Sequence, residues 1–218
     1  MKTTLLAATA IIALTAGAAT GATIHPSAAV TGLKIHPLHV PPSTLYNQNS
    51  SGNGAGFDSQ NFTSGSFSSL YNSAGADDFV LSSTSKMTGV GVSGEFFNGS
   101  GPAGGATANL YTGGKHPKGN PIATGVSSTT AASFSVKIKG KLKAGKHYWI
   151  SVVTNCSYVG GCGEWAWDNR SVAKNNVAVW ENPGGGFGTT CSTWKPIGDC
   201  TSYTTFDNND FLFDITGK

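Results

Sequence analysis

Short runs of alternating apolar and polar residues, bounded by Gly, Asn and Ser, recur along this chain of 218 residues, which is the period of strands. Beyond the first twenty positions, no long stretch carries apolar residues at helical spacing. In Phe134-Ser135-Val136-Lys137-Ile138-Lys139 the apolar members face one way and Lys137 and Lys139 the other. After a turn at Ala144-Gly145, Tyr148, Ile150 and Val152 repeat the pattern, so the two runs read as neighbouring antiparallel strands. Strands are predicted at Asp77–Leu81, Met87–Phe97, Ala106–Tyr111, Ser133–Lys139, His147–Val153, Val177–Glu181 and Asp210–Ile215. Turn-rich segments between them predict an all-β fold, an antiparallel β-sandwich of jelly-roll type.

Composition agrees, with 30 Gly, 11% charged residues and few helix formers. The first residues change the compartment rather than the fold. Lys2 is followed by an uncharged apolar run from Leu5 to Ala18, the h-region of a signal peptide over residues 1–22, with small residues that place cleavage between Ala19 and Thr23. The run is shorter than the roughly 20 residues of a spanning helix, and a polar, Pro-containing segment follows it. No second apolar run and no hydrophobic tail before Lys218 is seen, so the mature protein is expected to be secreted, without a membrane span. Residues 23–44, with Pro26, Pro37, Pro41 and Pro42, read as an extended leader. Residues 45–218 read as one sandwich domain.

All four cysteines and all five tryptophans fall in the last third. In an oxidising compartment an even cysteine count points to disulfides, and three connectivities are open. The local pairs Cys156 with Cys162 and Cys191 with Cys200 are favoured, because turn-forming sequence separates each pair.

Several landmarks occur in a characteristic order. They are Leu45-Tyr46-Asn47-Gln48, Ala76-Asp77-Asp78-Phe79, Leu142 to Trp149, Gly163-Glu164-Trp165-Ala166-Trp167, and Trp180 to Gly188 ahead of Cys191, Trp194 and Cys200. In this order the chain resembles a poorly characterised family of secreted bacterial β-sandwich proteins. The resemblance spans most of the mature chain and implies export and a jelly-roll-like fold, but no particular activity. The C-terminal sorting tail of some relatives is missing here.

No Gly-x-Ser-x-Gly elbow, His-Glu-x-x-His zinc motif or phosphate-binding loop occurs, and Gly91-Val92-Ser93-Gly94-Glu95 only approaches the first. The histidines, His25, His36, His39, His116 and His147, read as solvated side chains. Glu164 and Asp168 are the carboxylates embedded among tryptophans. About 13 Å apart along a strand, they are distant for a glycosidase pair and read better as solvated strand ends. Trp165 and Trp167 share the opposite face, where they either fill the core or form a platform for sugar rings. Trp180 and Trp194 lie in glycine- and cysteine-interrupted segments and are expected to be partly exposed. The Gly184-Gly185-Gly186 run is either a flexible loop or a place where backbone approaches a ligand.

Asp77 and Asp78, with Asp207, Asn208 or Asp210, suggest a structural calcium site, the one cofactor these residues offer, though without calcium-loop spacing. Net charge is +3, much of the excess lying in Lys137, Lys139, Lys141, Lys143 and Lys146; such lysines solubilise a sheet, and no nucleic acid partner is expected. Glycosylation sequons begin at Asn49, Asn61, Asn98, Asn155 and Asn169. The expected function is that of a monomeric, non-enzymatic extracellular binding or accessory module, with polysaccharide or an envelope component as partner. A structural or adhesive envelope protein and a carbohydrate-active hydrolase are the alternatives.

Overall fold

The computed structural model describes residues 26–34, 43–64, 67–128 and 130–218. The predicted signal peptide, His25, His36, His39, Pro37, Pro41 and Pro42 lie outside the described residues. Among the described residues seventeen strands follow in order: β1 (Ala29–Thr31), β2 (Thr44–Asn47), β3 (Gly52–Asp58), β4 (Gln60–Phe62), β5 (Ala74–Val80), β6 (Ser85–Val92), β7 (Gly94–Phe97), β8 (Ala106–Gly113) and β9 (Pro117–Ser127). Then come β10 (Phe134–Val136), β11 (Gly140–Leu142), β12 (His147–Cys156), β13 (Glu164–Arg170), β14 (Val179–Glu181), β15 (Lys195–Pro196), β16 (Asp210–Phe211) and β17 (Phe213–Gly217).

They form an all-β, sandwich-like fold of three sheets, in the orders β1-β3-β13-β16 with β7 also on β13, β10-β6-β17-β2 with β11 also on β6, and β15-β14-β5-β12-β8-β9 with β4 also on β12. Every pairing is antiparallel except β4 with β12. Two predicted strands prove to be pairs that change sheet. The run Met87–Phe97 divides at Ser93, whose hydroxyl donates to Asp168 at 2.6 Å, and Asp210–Ile215 divides at Leu212, whose N–H bonds the Asp168 carbonyl. Asp168 on β13 therefore holds two adjacent corners, the device by which strands pass between packed sheets.

Alternation governs β12. Tyr148, Ile150 and Val152 join the main apolar core with Phe79, Leu110 and Val90, while His147, Trp149 and Ser151 take the other face. Strand β13 is different, being buried at all seven positions. Alternation places Trp165 and Trp167 on one side and Glu164, Ala166 and Asp168 on the other, and both sides are covered. Trp167 stacks on Phe211 at 4.5 Å and 13°, and Trp165 packs against Phe134. Glycine permits two of these approaches: the Trp165 indole lies over Gly94, and a Cβ at Gly75 would come within 2.9 Å of the Phe211 ring.

The leader reading is corrected at its described part. Ala29–Thr31 is a packed strand paired with Ala55–Phe57 of β3, and the Ser27 backbone N–H donates to Glu164 at 2.8 Å. The disulfides Cys156–Cys162 and Cys191–Cys200 connect as expected. Among the described residues no helix is long and apolar enough to cross a membrane.

Candidate functional site

The structure takes most of the expected sugar platform away from the surface. Trp165, Trp167 and Trp180 are 0% exposed, and each indole N–H is spent inside the protein: on the Ala132 carbonyl at 2.7 Å, the Leu212 carbonyl at 2.8 Å and the Asp58 carbonyl at 2.6 Å. Ring faces packed on neighbours and N–H groups already bonded leave nothing for a ligand, so these three are core residues. The glycine run is exposed at Gly184 and Gly185, but its backbone is packed on one side against the Ser69–Leu70 segment. A Cβ at Gly184 or Gly186 would collide with the backbone of Ser69 and Leu70, and the Gly186 N–H bonds the Leu70 carbonyl at 2.9 Å.

Glu164 and Asp168, read as solvated strand ends, are instead buried. Glu164 accepts from Ser27 and Asn98, and burial pushes its carboxyl up to about 8. Neither carboxylate is presented to a substrate. The sequon at Asn169 is closed as well, its side chain being fully buried.

Asp77, Asp78 and Asp210 do come together, but not as a cation site. Asp77 accepts from the Asp78 N–H, from Gln48 Nε2 at 2.6 Å and from the Phe211 N–H at 2.7 Å. Asp78 accepts from Asn176 and faces His147 Nδ1 at 3.0 Å, and Asp210 accepts from the Lys174 N–H. Burial raises all three carboxyls, Asp210 to about 7, with the Asp210 charge adding to the rise at Asp77 and the Asp78 charge to the rise at Asp210. Oxygens that accept from N–H donors are poor calcium ligands, and no group of three or more His, Cys, Asp or Glu among the described residues is arranged around a metal position. The cluster ties Lys174-Asn175-Asn176, the loop after β13, down onto β5. Asp207, offered as a further ligand, is exposed.

Trp194 alone of the four tryptophans offered for binding reaches the surface. It is half-buried on the outer face of the largest sheet and meets Tyr111 of β8 edge to face, with centroids 6.5 Å apart and planes at 68°. Both rings rest on a small apolar cluster of Ala76, Trp149 and Val179. Register explains the grouping: Tyr111 lies directly opposite Trp149, and Val179 opposite Ala76, and opposed residues project to one side of a sheet. The Cys191–Cys200 bond closes the loop that carries Trp194 and fixes it against the sheet. Glu181, on β14, completes the patch; burial lifts its carboxyl to about 7 against a hydrogen bond from the Trp194 backbone, and burial, with the Glu181 charge adding to it, raises the Tyr111 phenol. Beneath them the Trp149 indole N–H is buried with no hydrogen-bond partner among the described residues.

Sequence reading singled out Trp194 but not Tyr111, Trp149 or Glu181. The available signal was the adjacency of two aromatic strands, Ala106–Tyr111 and His147–Val153, whose register was not legible. No protein-family model and no curated protein matches this chain. Fold and disulfides together define the class, a two-disulfide β-sandwich.

Proposed function

We propose that this protein is a secreted, non-catalytic carbohydrate-binding module that takes sugar rings at the Trp194–Tyr111 patch. The observation that carries this reading is the half-buried Trp194, braced by a disulfide loop and set edge-on to Tyr111 beside the Glu181 carboxyl. An indole face gives an apolar surface for the C–H side of a sugar ring, and a neighbouring carboxylate accepts hydroxyl hydrogen bonds. Paired disulfides, together with the predicted signal peptide, support an extracellular location. The resemblance to exported bacterial β-sandwich proteins points the same way.

The test is intrinsic tryptophan fluorescence of the mature protein titrated with soluble neutral polysaccharides, beside Trp194→Ala and Tyr111→Ala. The expected result is a saturable change abolished in Trp194→Ala, with circular dichroism unaltered. Absence of response across the panel would favour the second reading, a structural or adhesive envelope protein, which the burial of four of the five tryptophans supports.

A further inference from the structure

Formal charge understates how basic the surface of this protein is. Of its eleven acidic side chains, Asp58, Asp77, Asp78, Glu164, Asp168, Asp210 and Asp214 are buried, and only Asp199 and Asp207 are exposed. The lysines of the described residues, by contrast, are exposed with the single exception of Lys195.

Six of them converge. Three depressions adjoin at one end of the second sheet: the first is lined by Lys86, Lys139, Lys141 and Lys218, the next by Lys86, Lys141 and Lys218 with Thr84 and Ser85, the third by Lys141, Lys143 and Lys146 with Thr84 and Thr112. Lys141 belongs to all three, and no Asp or Glu side chain lines any of them. Register makes the crowding explicit. Lys141 of β11 is directly opposite Lys86 of β6, and Lys86 exchanges both backbone hydrogen bonds with Lys218, at 2.6 and 2.9 Å, on its other side. Three cations therefore stand abreast on adjacent strands, spanning about 10 Å at the usual interstrand spacing.

Like charges directly opposite one another destabilise a sheet. Lysine on an edge strand discourages edge-to-edge pairing, which accounts for Lys141, but β6 is an interior strand with β10 and β11 on one side and β17 on the other. Edge protection thus leaves Lys86 unexplained.

We propose that this lysine-lined groove is a second binding site, separate from the aromatic patch, that takes a polysaccharide bearing carboxylate or sulfate groups. Ammonium groups in a row match a chain of evenly spaced anions, and the hydroxyls of Thr84, Ser85, Thr88 and Thr112 among them suit sugar hydroxyls. Nucleic acid fits less well. Its single-strand sites use exposed aromatic rings for stacking, whereas the aromatic ring lining the groove, Tyr148, is buried with its hydroxyl accepting the Lys143 N–H, and the chain's single arginine, Arg170, is buried in another sheet.

The experiment is calorimetric titration of the mature protein with polygalacturonate and dextran sulfate, and with neutral dextran, a single-stranded oligonucleotide and phosphatidylglycerol vesicles as comparators. It is run at low and physiological salt, on wild type and Lys86→Gln/Lys141→Gln/Lys143→Gln. The expected result is salt-sensitive binding of an acidic polysaccharide, weakened at least about tenfold in the triple variant at two- to fivefold per exposed charge. The unfolding midpoint of that variant is expected to be unchanged or raised, because repulsion is relieved. No binding of either acidic polysaccharide, equal binding by the triple variant, or tighter binding of oligonucleotide or vesicles would overturn the proposal. Trp194→Ala is expected to keep acidic-polysaccharide binding, so failure at the aromatic patch and failure at the groove are read separately.

Discussion

Replacing Trp167 by alanine should unfold much of what holds the two sides of β13 together. The indole is 0% exposed, stacks on Phe211 at 4.5 Å, and approaches Trp165 and Phe213 at 6.3 Å each. Burying about 150–250 Å² of tryptophan at about 25 cal/mol per Å² is worth roughly 4–6 kcal/mol as an upper bound, and measured Trp→Ala losses in cores run about 3–5 kcal/mol. Removal also takes one of two donors from the Leu212 carbonyl, which accepts the indole N–H at 2.8 Å and keeps the Ser93 N–H at 3.3 Å, at a further cost of about 0.5–1.5 kcal/mol. A loss of about 4–6 kcal/mol takes a large share of the roughly 5–15 kcal/mol that stabilises a domain. Urea unfolding followed by far-ultraviolet circular dichroism, disulfides intact, measures it. Trp194→Ala in parallel should cost under about 1.5 kcal/mol, since that ring is only half-buried. Equal losses for the two, or a Trp167→Ala loss below about 1 kcal/mol, would refute the division of the tryptophans into core and surface.

Stability should fall as pH rises from about 4.5 to about 8, because burial lifts the Glu164 carboxyl from 4.5 to about 8 and Asp210 from 3.8 to about 7. The folded state keeps protons that the unfolded chain releases, so these groups favour folding most below the unfolded values and lose that contribution as pH climbs through the folded ones. Glu164→Gln should flatten the decline in a series of urea midpoints against pH; an unchanged slope would show that Glu164 does not titrate as its burial requires. Cys191→Ala/Cys200→Ala, opening a link with sequence separation 9, should cost about 3 kcal/mol and also weaken sugar binding by loosening Trp194; thermal unfolding and the fluorescence titration report the two effects. Asn176→Ala, which removes the 2.6 Å bond to Asp78, should cost about 1–3 kcal/mol and raise hydrogen exchange in residues 173–177 specifically.

The all-β class and the cysteine pairs were legible because each rests on short-range sequence, alternation in the first case and turn-forming spacers in the second. Strands β3 and β9 were not, since Gly52–Asp58 and Pro117–Ser127 are glycine-rich or proline-containing and carry few apolar residues. Their strand form comes from partners β13 and β8, not from local preference. The fate of Glu164, Trp165 and Asp168 was illegible for a related reason: alternation tells which residues share a face but not whether both faces are covered. Polar residues at positions 164 and 168 suggested a solvated side, yet Ser27 and Ser93, 137 and 75 residues away, supply their donors. Trp194 was found by its setting among cysteines, while its companions Tyr111 and Glu181 needed three-dimensional register.

The pairing of β2 with β17 has a kinetic meaning. Among the described residues β17 is the strand that pairs with β2, and the Ser27 N–H bonds Glu164. A chain made, or threaded across a membrane, amino end first would therefore hold β2 without this partner until β17 had emerged, although β1 could already pair with β3. Folding of such a topology is expected to be slow, with β2 meanwhile open to wrong partners.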